Sequence, residues 1–154
     1  MPSMRAVVQR VSRAEVRVDG RPVGAVGSDL MILVGVTFGD TEADAMALAD
    51  KIAGLRIFAD EKGAMNLSVS EVGGSALVVS QFTLYADARK GRRPSFTAAA
   101  SPEVARALID VVVSRLEEAG LVVATGEFGA LMEVDLVNHG PVTIILETRD
   151  GRVV

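Results

Sequence analysis

Hydroxyl, amide and aromatic side chains meet at the end of one apolar run, where Leu77-Val78-Val79 continues into Ser80-Gln81-Phe82-Thr83-Leu84. In a regular strand side chains alternate, so Gln81 and Thr83 share one face with Leu77 and Val79, and Ser80 and Phe82 share the other. An amide and a hydroxyl one step apart can line a small polar pocket, donating to a carbonyl oxygen or positioning water. The same four residues also serve as ordinary strand material, and this segment alone does not choose between the two.

Asn138-His139-Gly140-Pro141-Val142-Thr143 is the second such segment. Gly-Pro between two strands makes a turn. An X-Pro bond can also be cis, which turns adjacent carbonyl oxygens the same way and offers a rigid pair of acceptors to an ammonium group. Third is the stretch 88–96, where Arg89, Lys90, Arg92 and Arg93 flank Gly91. Such a cluster is either solvated surface or the place where an otherwise acidic protein meets phosphates, which arginine grips through its planar fork.

His139 is the single histidine. A nucleophile–histidine–acid triad would have to use it, with Ser80 or Thr83 as nucleophile, yet no G-x-S-x-G elbow accompanies it. A turn role suits it better. There is no cysteine, so thiol nucleophiles and cysteine-based metal sites are excluded. One histidine and scattered acids show no metal-ligand spacing, and residues 20–27 match neither dinucleotide nor P-loop glycine spacing. No metal and no cofactor are expected.

A chain of 154 residues, 49% hydrophobic and 23% charged, has the composition of an ordinary globular protein and the length for one domain, 1–154. The longest apolar run, 30–36, is far short of the about 20 residues that span a bilayer. With no export segment in view, a cytoplasmic protein is expected. The net charge of −4 argues against a general nucleic-acid coat, but leaves room for a local basic patch.

These groups must be positioned by strands and two helices. Val7, Val8 and Val11 open a β-prone region, Val16 and Val18 alternate with charges, and Asp19-Gly20 is a hairpin turn leading into 21–26. Residues 30–37 form a buried strand. A helix follows, capped by Asp40 or Thr41, with Ala45, Leu48, Ala49, Ile52 and Leu55 at helical spacing. Residues 56–59 form a short strand and 76–84 a longer one. Residues 85–100 form a loop. Ser101-Pro102-Glu103 starts a second helix, whose apolar stripe ends at the Gly120 cap. Two last strands, 131–137 and 142–148, are joined by 138–141. The class is α/β, with more strands than helices.

Taken together, five segments resemble the D-aminoacyl-tRNA deacylase (D-tyrosyl-tRNA deacylase) family along essentially the whole chain. They are Met4-Arg5-Ala6-Val7-Val8-Gln9-Arg10-Val11, Leu55-Arg56-Ile57-Phe58, Ser80 to Leu84, Lys90-Gly91-Arg92-Arg93-Pro94-Ser95-Phe96 and the segment 138–143. The resemblance implies a single domain of curved, barrel-like β-sheets with helices packed outside. It implies a homodimer with sites at the subunit interface. Ser80, Gln81, Phe82 and Thr83 would floor the site for the 3′ end of aminoacyl-tRNA. Gly140-Pro141 would be a cis pair from the other subunit, its carbonyl oxygens facing the substrate ammonium. Arg10 and Met132 match family positions near that motif, and Arg89, Lys90, Arg92 and Arg93 would meet the tRNA.

The implied reaction is hydrolysis of D-aminoacyl-tRNA, and of glycyl-tRNA, with an L side chain excluded by clash against Gly140-Pro141. Either Thr83 attacks the ester, or the terminal 2′-hydroxyl of the tRNA assists while Gln81 and nearby N–H groups hold the oxyanion; the second is preferred, because no base is placed to activate Thr83. Two departures stand out. Met1-Pro2-Ser3 precede the family's usual start and are expected to fray, and His139 stands where the family most often has an acid. A non-catalytic RNA-binding module and a small-molecule esterase are the rival readings. The first lacks aromatic residues for base stacking, at 4% of the chain.

Overall fold

The structure is a computed structural model that describes residues 3–154. Its first strand is long. β1 (Met4–Val18) pairs along one edge with β8 (Glu133–Arg149), while its other edge pairs first with β3 (Leu30–Gly35) and then with β2 (Arg21–Val26). Asp19 and Gly20 turn the β1–β2 hairpin with φ of 50° and 77°, the left-handed pair that a two-residue turn of matching twist requires. β6 (Ser75–Ser80) lies parallel to β3, and β7 (Val122–Thr125) lies parallel to β6. A final strand β9 (Arg152–Val153) folds back on β8, and β4 (Phe58–Ala59) pairs with β5 (Met65–Leu67) apart from the main sheet.

The seven-stranded sheet curls until β2 reaches towards β7. Gly24 marks that approach, since a Cβ there would collide with the carbonyl oxygen of Thr125. Each face of the sheet has its own core. Met4, Ala6 and Val8 of β1, with Leu30, Ile32 and Val34, pack against α1 (Glu42–Gly54) and α2 (Pro102–Glu118) outside the curl. Val11, Ala14 and Val16, with Met31, Leu77 and Val79, fill its inside. The even-numbered β1 residues would all face one way in a regular strand. Irregularities between Gln9 and Arg13 reset the alternation, so one strand serves both cores.

Both helices begin as their first residues dictate. Thr41 caps α1 in a reciprocal box with Asp44, its Oγ1 accepting from the Asp44 N–H and Asp44 accepting from the Thr41 N–H, an arrangement worth about 1 kcal/mol. Asp40, the alternative cap, instead accepts from the Thr37 N–H at 2.7 Å. Ser101 occupies the cap position of α2 with Pro102 in the first turn, but its side chain makes no capping bond. Gly120 follows the α2 cap at φ 93°.

Several expectations need correction. The strand at 76–84 ends at Ser80, and Phe82–Tyr85 form a 3-10 turn, because Tyr85 is drawn beneath the sheet edge. The strand at 30–37 ends at Gly35, leaving Thr37 in an isolated bridge to Ala99. Residues 138–141 are no turn: β8 runs through them as one strand, because β1 offers a continuous partner from end to end. Strands β5, β7 and β9 are too short for periodicity to reveal. Ser3 does not fray, for it is buried and its hydroxyl donates to Glu147 Oε2 at 2.6 Å; Met1 and Pro2 lie outside the described residues. Among the described residues, no helix is long and apolar enough to cross a membrane.

Candidate active site

The parallel strands β6 and β7 end side by side, and open α/β sheets leave their crevice beyond such carboxyl ends. At the end of β6 the Gln81 N–H donates to the Val34 carbonyl at 2.8 Å, still in the ladder, and the chain then tightens into the 3-10 turn. Buried Tyr85 anchors that turn. Its hydroxyl lies 2.6 Å from the Ser3 carbonyl and 2.9 Å from that of Gly35, and burial pushes its ionisation up. A Cβ on Gly35 would stand 2.7 Å from the Tyr85 ring, so glycine at the end of β3 lets the turn seat. Arg5 also donates to the Leu84 carbonyl at 2.7 Å.

The turn keeps Gln81 and Thr83 together by a route that alternation did not foresee. Gln81 Nε2 donates to Thr83 Oγ1. The N–H groups of Phe82 and Thr83 open the 3-10 turn, where no carbonyl of the turn can accept from them. They are donors available to a developing oxyanion.

Beside them lies a cavity of about 540 Å³ whose lining carries no charge. Val79, Ser80, Gln81 and Phe82 form one wall, the first turn of α2 another, and Phe128, Gly129, Ala130, Met132 and Val134 a third. Phe82 and Phe96 meet edge to face with ring centres 5.2 Å apart at its rim. Thr83 is exposed and does not line the cavity.

Arg10, Gly140 and Pro141 gather elsewhere. Gln9 opposes Thr143 and Val11 opposes Asn138, so Arg10 alone faces the four residues 139–142. Asn138 braces this bulge, its Oδ1 accepting from the Val142 N–H at 2.7 Å and its Nδ2 donating to the Val142 carbonyl at 3.1 Å and to Thr143 Oγ1 at 3.0 Å. Arg10 donates to the carbonyls of His139, at 2.9 Å, and Ile57, at 2.7 Å. The Gly140-Pro141 peptide is cis, and Gly140 sits at φ 141°. His139, Gly140 and Pro141 are exposed, and among the described residues no titratable partner is bonded to the His139 ring, so no triad forms among them. Gly140 lies six residues further along the strand than Val134, at the cavity, a span on the order of 20 Å. Neither Gly140, Pro141 nor Arg10 lines the cavity of its own chain.

A family model described as D-Tyr-tRNA(Tyr) deacylase matches residues 7–147. The chain belongs to that family. It is 63% identical over 146 residues to the D-aminoacyl-tRNA deacylase of Anaeromyxobacter dehalogenans (strain 2CP-C), covering 95% of this chain and 98% of the relative. A solved structure titled c-Myc DNA Unwinding Element Binding Protein superposes with a TM-score of 0.87 at 38% identity, covering 94% of this chain and 99% of that one. A second, titled as a structural analysis of a probable eukaryotic D-amino acid tRNA deacylase, superposes with a TM-score of 0.80 at 18% identity, covering 96% and 100%, and carries the likeness of fold.

Within this deacylase-family chain the basic loop divides. Backbone bonds between Asp87 and Ser95, at 2.7 and 2.8 Å, pinch residues 88–94 into an arm beside the cavity rim. Arg89 is engaged by Asp87 through two side-chain bonds of 2.9 and 2.8 Å, which hold that carboxyl down to about 2. Lys90, Arg92 and Arg93 are exposed and make no ion pair among the described residues. Sequence reasoning missed the lining from Phe96, the α2 first turn and Phe128. These are apolar or small residues whose spacing carries no chemical signal. Among the described residues no group of three or more His, Cys, Asp and Glu side chains could hold a metal.

Proposed function

We propose that the chain hydrolyses the ester of D-aminoacyl-tRNA, and of glycyl-tRNA, acting as a homodimer in the cytoplasm with residues 1–154 as its catalytic domain. One observation carries this reading: in a chain of the deacylase family, an uncharged cavity opens beside Gln81 and the free N–H groups of the Phe82–Tyr85 turn. The terminal nucleoside fits such a cavity, with its acyl ester lying towards Gln81.

Hydrolysis adds a water oxygen to the carbonyl carbon. The negative charge on the carbonyl oxygen is met by the Phe82 and Thr83 N–H groups and by the Gln81 amide. Collapse breaks the bond to the ribose 3′ oxygen, which takes up a proton, leaving amino acid and tRNA. The vicinal 2′-hydroxyl of the substrate guides the water, since Thr83 has no base beside it. Gly140-Pro141 of a second copy would close the site over the α-carbon, because the same residues of one chain stand too far along β8. Ammonium held there, an L side chain meets the motif, a D side chain points away, and glycine meets nothing.

The test compares D-, L- and glycyl-tRNA side by side with purified protein. D-aminoacyl- and glycyl-tRNA should be cleaved and L-aminoacyl-tRNA spared. A protein that only bound RNA would leave all three intact. A general esterase would cleave free D-amino acid esters as well as tRNA esters, with little dependence on salt.

A further inference from the structure

A second cavity, of about 260 Å³, lies behind the first. The two share Ser80, Phe128 and Met132 as a common wall. Their linings differ in kind: the first is uncharged, whereas Arg106, Asp110 and Glu127 border the second. Arg106 and Asp110 stand one turn apart on α2, and Glu127 follows β7. The Arg106 guanidinium lies over the Phe128 ring, 5.1 Å from its centre. None of the three charged side chains forms an ion pair within the chain among the described residues. All three side chains are exposed, and around a concavity they offer donors and acceptors to a ligand that carries both.

One cation beside two carboxylates makes this a poor phosphate site, because the local charge is negative. A base suits it. Single-stranded RNA ends are read by splaying bases onto aromatic rings and guanidinium planes and by bonding their Watson–Crick edges. We infer that the second cavity receives the cytosine that precedes the terminal adenosine of tRNA, on the reading that the first cavity receives that adenosine. Cytosine presents an amino group beside two acceptors. Asp110 or Glu127 accepts from the amino group, and Arg106 donates to the neighbouring ring nitrogen and carbonyl oxygen. Uracil places a carbonyl where the amino group stood, opposite a carboxylate, and is rejected. The shared wall of Ser80, Phe128 and Met132 sets the two cavities side by side, as successive nucleotides require, and a pocket that ignores the amino acid gains its substrate selectivity from the RNA end.

The test uses the full protein and three small esters: D-aminoacyl-adenosine, and the same ester on cytidylyl- and on uridylyl-adenosine. For the unaltered protein, kcat/KM should be about tenfold higher for the cytidylyl ester than for either other ester, the gain expected of one good base contact. In Arg106→Ala that ratio should fall towards one. In Asp110→Asn/Glu127→Gln the preference for cytidylyl over uridylyl should disappear. Binding of unacylated cytidylyl-adenosine, which needs no chemistry, should weaken in the same variants. Equal cleavage of the cytidylyl and uridylyl esters, or a ratio that survives Arg106→Ala and Arg106→Gln, overturns the cytosine site while leaving the deacylase reading intact. Failure to cleave any D-aminoacyl ester, tRNA included, overturns both.

Discussion

Arg10 donates to the carbonyl of His139 at 2.9 Å, so the one β1 residue facing the bulge also holds its first peptide. Its second bond, to the Ile57 carbonyl at 2.7 Å, ties that peptide to the segment before β4. A planar fork makes both bonds at once, and a lysine ammonium cannot reproduce the pair. Arg10→Lys should therefore lower deacylation at least about tenfold, and Arg10→Ala should cost about 2 kcal/mol of stability, since each charge-assisted bond contributes about 1.5–3 kcal/mol before solvent exposure is discounted. Chemical denaturation and single-turnover kinetics measure the two effects. Full activity in Arg10→Lys would show that the bulge holds without the fork.

Gly140 has no room for a methyl group. At φ 141° an added Cβ would lie 2.8 Å from Val142 Cγ2 and 2.9 Å from the Val142 nitrogen, a conformation that L side chains rarely adopt. Gly140→Ala should reshape the bulge and lose most activity towards D-aminoacyl-tRNA while the protein stays folded. Circular dichroism alongside the deacylation assay checks this, and a variant as active and selective as the parent would remove the motif from the site.

Thr83 accepts from the Gln81 amide and has no base beside it, so it is a poor nucleophile. Thr83→Ala should keep substantial activity, and a rapid acid quench should trap no acyl-protein. A tRNA ending in 2′-deoxyadenosine, charged on its 3′ oxygen, should bind but resist hydrolysis. A trapped ester on Thr83 with efficient cleavage of the deoxy substrate would reverse the assignment.

Because Asp87 already engages Arg89, the four basic residues of the arm should not contribute equally. Neutralising Arg92 and Arg93 together should weaken tRNA binding and reduce the slope of log K against log salt by about two, as each phosphate contact releases roughly one counterion. Arg89→Ala should change the slope less. Filter binding across a salt series decides, and an unchanged slope in the Arg92/Arg93 variant would make the arm plain surface.

Asp40 is half-buried, and burial raises its pKa to about 6. With the folded value above the unfolded one, this group favours the folded state most at low pH. That contribution is fully present below about pH 4 and is lost as pH rises through 6. Asp40→Asn should remove this dependence, narrowing the parent–variant difference in stability between pH 7 and pH 4 by about 1 kcal/mol once screening on its open side is allowed for. Melting temperatures across that range test it, and parallel curves would show that Asp40 does not titrate there.

Much of the fold was legible because local chemistry and tertiary structure agree. Asp19-Gly20 demands its hairpin, Thr41 and Asp44 close a capping box, and the apolar stripes of α1 and α2 face the sheet they cover. The motif residues were legible as types. Ser80, Gln81 and Phe82, with Met132, do line one cavity, and Arg10 does meet the 139–140 segment.

What the residues alone could not decide was where alternation stops. A β-prone run reads the same whether or not a buried tyrosine pulls its end into a 3-10 turn, and Gly-Pro reads as a turn unless a long partner strand lies alongside. Both outcomes depend on residues far away in the chain: Tyr85 on Ser3 and Gly35, and the bulge on Arg10. The second cavity is of the same kind. Arg106 and Phe128 are 22 positions apart and unremarkable in sequence, and only the packing of α2 across the ends of β6 and β7 sets one over the other.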